Sequence, residues 1–192
     1  MHVRRLSLIL PSVLLLAACA PQGGTHRWQS PTITYYVNVG ANEQSEAAIR
    51  TVFGEWEKAT RLTFTYGGRN EAGIRRDGKS TVSFVRRWSL ALPQEKVSYC
   101  RCWYDQKGNI VEADIIFHIQ IVGFTTRSNR MPKTYCLEGA LSHEIGHLIG
   151  LGDIDSPDSL MKPTSTPDES WNDGRIDAGT LAAYRALYGI TK

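Results

Sequence analysis

The sequence has no run of basic residues interleaved with aromatics, which removes the usual electrostatic footprint of a nucleic-acid binder, and no nucleic acid is expected among its partners. No internal repeat and no low-complexity segment interrupts it, and nothing in it reads as collagen, coiled coil or wholesale disorder. Its one long apolar run, Leu6 to Leu16, is too short to span a bilayer. No serine or cysteine nucleophile stands with an attendant histidine, so a covalent hydrolase has no candidate machinery. What remains is ordinary globular composition: 192 residues, 42% apolar and 21% charged, enough for one good hydrophobic core and a single domain.

The N-terminus reads separately from the rest. Arg4 and Arg5 precede the apolar run, a signal-peptide pattern. It ends in Leu16-Ala17-Ala18-Cys19, which resembles the bacterial lipobox, whose cysteine is lipidated on its thiol and becomes the mature N-terminus. The resemblance implies a leader over residues 1–18, a lipid anchor on Cys19 and a place in the bacterial cell envelope. Ala20 after the cysteine, rather than Asp, leans toward the outer membrane by analogy with known lipoproteins. The chain has 22 basic and 19 acidic residues; loss of Arg4 and Arg5 with the leader brings the two signs within one charge of each other. The whole-chain pI of 8.7 therefore describes the leader more than the domain.

Four cysteines occur, and with Cys19 lipidated the other three are Cys100, Cys102 and Cys136. Export to an oxidising compartment favours one disulfide and one odd thiol. Residues two apart in a strand point the same way, which makes Cys100 and Cys102 poor mutual partners and leaves either able to pair with Cys136.

Residues 19–30 read as a tether and 31–192 as the folded domain. Thr32 to Val37 is rich in β-branched and aromatic residues and predicts a first strand. Ile49, Val52, Phe53 and Trp56 recur at helical spacing within 43–60 and predict an amphipathic helix lying on a sheet. Leu62 to Tyr66 and Thr81 to Val85 are further strands, with Gly67-Gly68-Arg69-Asn70 as turn chemistry after the first. Residues 97–104 read as an edge strand. Ile110 to Ile121 reads as a longer one, with Ile115, Phe117, Ile119 and Ile121 on one face and Asp114, His118 and Gln120 on the other. Tyr135 to Ile149 reads as a buried helix stopped by Gly150 and Gly152. Residues 153–175, with Pro157, Pro163 and Pro167, predict an irregular loop. Asp177 is a helix N-cap, Leu181, Tyr184 and Leu187 form the stripe, and Gly189 closes the C-terminus.

Histidine is scarce, five in all, yet His143 and His147 stand four apart on a predicted helix, with their imidazoles stacked on one face and able to share an ion. Glu144 is offset from His143 by about 100° around the helix, close enough to act on a water without being a ligand. Gly150 can take the positive φ that turns the chain back, so that Asp153 returns beneath the histidines. Asp155 is a rival third ligand. Two nitrogens and one carboxylate oxygen leave a fourth position for water, as a catalytic Zn2+ requires and a structural one does not. Glu144 would serve as general base.

The run His143-Glu-Ile-Gly-His147-Leu-Ile-Gly-Leu-Gly-Asp153, followed by Ser159-Leu160-Met161-Lys162-Pro163, resembles the metzincin clan of zinc metallopeptidases, and most closely the matrixins. Met161 lies eight residues after Asp153, in the register of the methionine turn. Arg27-Trp28, Tyr35-Tyr36 and Ala186-Leu187-Tyr188-Gly189 extend the likeness over most of residues 27–190. The resemblance implies an α+β domain with a twisted mixed five-stranded sheet, one antiparallel edge strand and three helices. It also implies a monomer whose peptide or protein substrate binds as an extended strand along that edge, and Met161 as an apolar floor under the metal.

The likeness has departures. Matrixins supply His as third ligand, and Asp153 follows the snapalysin-like pattern, whose negative charge makes the ion a weaker Lewis acid. The family's second, structural zinc needs three His and an Asp, and only His26 and His118 remain for it. Structural Ca2+ stays open, because backbone carbonyls can hold it. No propeptide is expected between Cys19 and the first strand, and the cysteine-switch motif is absent. Pro163 stands where astacin-like and serralysin-like members carry a tyrosine. The activity implied is extracytoplasmic metalloendopeptidase. Two other readings use the same residues: a non-catalytic peptide-binding lipoprotein, and an amidase acting on cell-wall peptides.

Overall fold

A computed structural model describes residues 25–71, 73–171 and 174–191. Cys19 and the expected leader lie outside the described residues. The sheet is built from β1 (Thr32–Asn38), β2 (Thr63–Asn70), β3 (Ser80–Val85), β4 (Ser98–Tyr104) and β5 (Ile110–His118), with α1 (Glu43–Ala59) between the first two strands. After β5 come a two-residue pair, β6 (Phe124–Thr125) and β7 (Tyr135–Cys136), then α2 (Leu137–Leu148), α3 (Pro167–Ser170) and α4 (Ala178–Tyr188). Strand order is β2-β1-β3-β5-β4. β1 pairs in parallel with β2 and β3, and β3 with β5, while β4 runs antiparallel to β5 at the sheet's edge. This is the mixed sheet and antiparallel edge that the resemblance implies.

Local chemistry explains the elements. Ile33, Tyr35 and Val37 alternate into the core from β1. α1 begins where the Asn42 side chain accepts from Ser45 N, with Glu43 and Glu46 in its first turn and Lys58 in its last. Its buried stripe of Ile49, Val52, Phe53 and Trp56 lies on the sheet, with Phe53 stacked on Tyr35 at 3.7 Å and leaning on Phe64 at 5.2 Å. Burying Phe53 and Trp56 contributes roughly 2–3 kcal/mol each.

Several boundaries differ from expectation. β2 runs on through Gly67-Gly68-Arg69-Asn70, because the two glycines form a bulge and not a turn. The register with β1 slips between Tyr35 and Val37, Gly68 takes φ +96°, and a Cβ on Gly67 would overlap the Tyr36 ring. β5 stops at His118, so Ile121 is left 57% exposed. The proline-rich loop holds one helical turn, α3, started by a Thr166/Glu169 capping box with Pro167 at its first position.

The expected disulfide between Cys136 and Cys100 or Cys102 does not form: all three are buried thiols. The reason is α2. Cys136 caps its N-terminal end, with Sγ toward Glu138, whereas Cys102 reaches His147 O at the far end. Eleven residues of helical rise, about 16 Å, separate the two ends, well beyond disulfide reach. Cys100 and Cys102 do point the same way, their sulfurs 4.0 Å apart.

α2 is seated by polar side chains from elsewhere in the chain. Trp56 Nε1 donates to Ser142 O and Oγ at its middle. At its C-terminal end, where helical carbonyls lack partners, Trp28 Nε1 donates to Leu148 O and Tyr188 OH to Ile149 O. The β2–β3 connection and the start of β3 are held by two buried carboxylates of β5. Glu112 accepts from Asp77 N and Gly78 N, and Asp114 from Arg75 N and Thr81 N, at 2.6–3.0 Å.

Candidate metal centre

Helical spacing brings His143 and His147 together as the sequence predicts. Their rings are 4.6 Å apart, centroid to centroid, nearly perpendicular, with the two Nε2 atoms 3.0 Å apart. Each ring is fixed from behind. His143 Nδ1 lies 2.9 Å from Leu160 O and His147 Nδ1 2.9 Å from Leu151 O. A carbonyl only accepts, so each Nδ1 carries the hydrogen and each Nε2 keeps its lone pair forward.

The turn after α2 does what its glycine requires. Gly150 has φ +99°, and a Cβ there would overlap His26 O, so the position is closed to any side chain by conformation and by space. The chain then returns, and Asp153 Oδ1 comes 3.4 Å from His147 Nε2 and 3.7 Å from His143 Nε2. Asp155 is not part of this cluster. Met161 is fully buried beneath the helix. A Cβ on Gly146, between the two histidines, would overlap the Met161 sulfur, and Ile154 N donates to Met161 O to close the returning loop.

The donor set fits a zinc ion. Asp153 Oδ1 is buried without a hydrogen bond, and the ligand atoms of the three residues lie within 4.8 Å of one another. Arms of about 2.0–2.1 Å set tetrahedral ligand atoms some 3.3 Å apart, close to the 3.0, 3.4 and 3.7 Å observed. Two imidazole lone pairs this close repel unless a cation sits between them. Burial, and then the neighbouring His147, push His143 down to about 3, so it is neutral at ordinary pH as a ligand must be. Contact with His147 holds the Asp153 carboxyl below its ordinary range, so that residue is charged.

The family model for matrixins matches residues 27–189. The chain belongs to the matrixin family. It is also similar to the neutrophil collagenase of Homo sapiens, 25% identical over 173 residues, which cover 88% of this chain and 34% of that protein. This matrixin thus spans about a third of the length of the curated relative it matches.

Beside the histidines, the matrixin has a cavity of about 150 Å³ whose wall includes His143, Glu144, Lys96, Ser98, Tyr135 and Pro163. Glu144 is 4% exposed, and Ser98 Oγ donates to its Oε1 at 2.7 Å. Sequence reasoning missed Ser98, the two carbonyls that hold the rings, and the second task of Asp177. That residue caps α4 through Thr180 N and also accepts from Leu160 N at 2.8 Å, behind His143. Only the cap carries a sequence signature. Backbone acceptors and a lone strand serine carry none.

Proposed function

We propose that this matrixin is a zinc endopeptidase that cleaves extended peptide segments outside the cytoplasm, anchored to the bacterial envelope by lipid on Cys19. The observation that carries the catalytic part is the convergence of His143 Nε2, His147 Nε2 and Asp153 Oδ1, with His143 also lining a cavity that presents Glu144. His143, His147 and Asp153 would hold the metal. When bound there, zinc acidifies a water molecule and polarises the carbonyl of the scissile bond. Glu144 takes the proton of the attacking water on its carboxylate and returns it to the leaving amine, acting first as general base and then as general acid. Met161 and Gly146 set the floor of the site and keep α2 at a fixed height above the returning loop. The substrate lies as an added strand along β4, where main-chain hydrogen bonds provide register and the cavity takes a side chain.

The test is metal analysis together with cleavage of a peptide library by the wild type and Glu144→Gln. Zinc is expected in both proteins, with turnover lowered by about 10³-fold or more in the variant. Equal turnover would remove Glu144 from its role. Zinc in both and turnover in neither would favour a peptide-binding lipoprotein, and the same metal analysis registers any calcium. The anchor is tested separately: Cys19→Ala should release the protein from the membrane fraction, and retention would refute lipidation there.

A further inference from the structure

The face of β4 that looks onto α2 carries two kinds of residue. Cys100 and Cys102 fill the core, and Ser98, at the strand's start, reaches the cavity wall. We infer that Ser98 is a positioning residue for the reaction: its hydroxyl sets the orientation of the Glu144 carboxylate. The inference rests on the reading of Glu144 as general base and adds the residue that aims it.

Glutamate has three side-chain torsions, and a helix backbone leaves its carboxylate several orientations. A general base must hold its oxygen within hydrogen-bond reach of the proton it abstracts. Ser98 removes that freedom through a hydrogen bond of 2.7 Å to Oε1. The serine itself is fixed, since its strand is paired with β5 in the register Ser98 with Phe117, and its neighbour Val97 accepts from His118 N at 2.8 Å. In this bond the hydroxyl donates and the carboxylate oxygen accepts. One such bond occupies one of about four acceptor positions on a carboxylate, so the serine does not by itself prevent Glu144 from taking a proton. Ser98 and Glu144 are 46 residues apart in sequence, and the contact exists because α2 crosses the edge strand at this height.

The experiment compares wild type, Ser98→Ala and Ser98→Thr, with Glu144→Gln as reference. Each is assayed for kcat and KM on one peptide, zinc content and thermal midpoint, and the zinc-loaded Ser98→Ala protein is crystallised. Ser98→Ala should lower kcat about tenfold, with KM, zinc content and thermal midpoint close to wild type. Its crystal structure should have the Glu144 carboxylate turned away or spread over several rotamers. Ser98→Thr keeps the hydroxyl on a residue that suits a strand and should restore most of kcat. Wild-type kcat in Ser98→Ala overturns the inference, as does an unmoved Glu144 in that crystal structure or a change confined to KM. If Glu144→Gln has lost turnover while Ser98→Ala has not, the general base stands and only the role of Ser98 fails.

Discussion

Two clusters of polar side chains, the half-buried histidines with Asp153 and the buried carboxylates of β5, are satisfied in opposite ways. On α2, His143 and His147 spend their rear nitrogens on Leu160 O and Leu151 O, while the forward nitrogens and Asp153 Oδ1 lie 3.0–3.7 Å from one another. In the β2–β3 connection, Glu112 and Asp114 accept from four backbone amides, two each. The first cluster has its bonds behind and its lone pairs in front, an arrangement that suits a cation. The second has spent its oxygens on the chain itself and so fixes a loop. Burial alone does not separate a site from a strut; the direction in which the acceptors are used does.

The comparison predicts that the two clusters fail differently, and the largest effect belongs to the metal side. His147→Ala should remove most bound zinc and lower turnover by about 10³-fold or more, since several kcal/mol of transition-state stabilisation go with the ion. The metal-free protein should melt within a few degrees of the metal-free wild type, because the ring's contact with Leu151 O is local to the turn. Inductively coupled plasma mass spectrometry and calorimetry on the metal-free forms check both halves. A large drop in the metal-free melting temperature would mean that the cluster is a strut after all.

How much of this the sequence makes legible follows from the same contrast. Both histidines, Glu144, the reversal at Gly150 and the return of Asp153 are local in sequence, so helical geometry and a single glycine are enough to assemble them. The five strands and the edge are legible because their β-branched and aromatic composition is local too. The bulge in β2 is not, since Gly67-Gly68 reads equally as a turn until the Tyr36 ring beside it is known. The disulfide expectation fails for a similar reason: α2 keeps Cys136 and Cys102 apart, and no spacing rule for cysteines contains the length of an intervening helix. Glu112 and Asp114 also escape reading, because their partners are backbone amides of a remote loop.

On the strut side, Asp114→Ala should leave the buried amide of Thr81 without an acceptor, at about 1–3 kcal/mol, and release the part-buried amide of Arg75 at a smaller cost. We expect a loss of about 2–5 kcal/mol in urea unfolding, with the zinc stoichiometry of the folded fraction unchanged. Burial pushes the Asp114 carboxyl up to about 8, against the pull of its two amide donors. Between the ordinary carboxylate pKa and that value the folded protein holds a proton that the unfolded chain has released, so stability should fall as pH rises through this window. Asp114→Asn, which carries no titrating proton, should flatten that decline. An unchanged slope would show that Asp114 is ionised in the fold and held by its amides alone.

The smallest expected effect tests whether the division between site and strut is complete. Asp177 is used like a strut, accepting from Thr180 N and Leu160 N, yet Leu160 is the residue whose carbonyl holds the His143 ring. It therefore belongs to both descriptions. Asp177→Ala should cost about 1–2 kcal/mol of stability, the usual value of a lost helix cap with one further amide. If its hold on Leu160 also sets the ring, zinc affinity should fall by roughly 10–100-fold, the range seen when a partner behind a metal ligand is removed. Asp177→Asn keeps an acceptor for the cap and should recover more of the stability than of the affinity, because a neutral amide oxygen is a weaker acceptor for Leu160 N. A competitive zinc titration beside the melting curve reads the two quantities independently. Lost stability with unaltered zinc affinity would confine Asp177 to the helix cap and leave His143 held by the methionine turn alone.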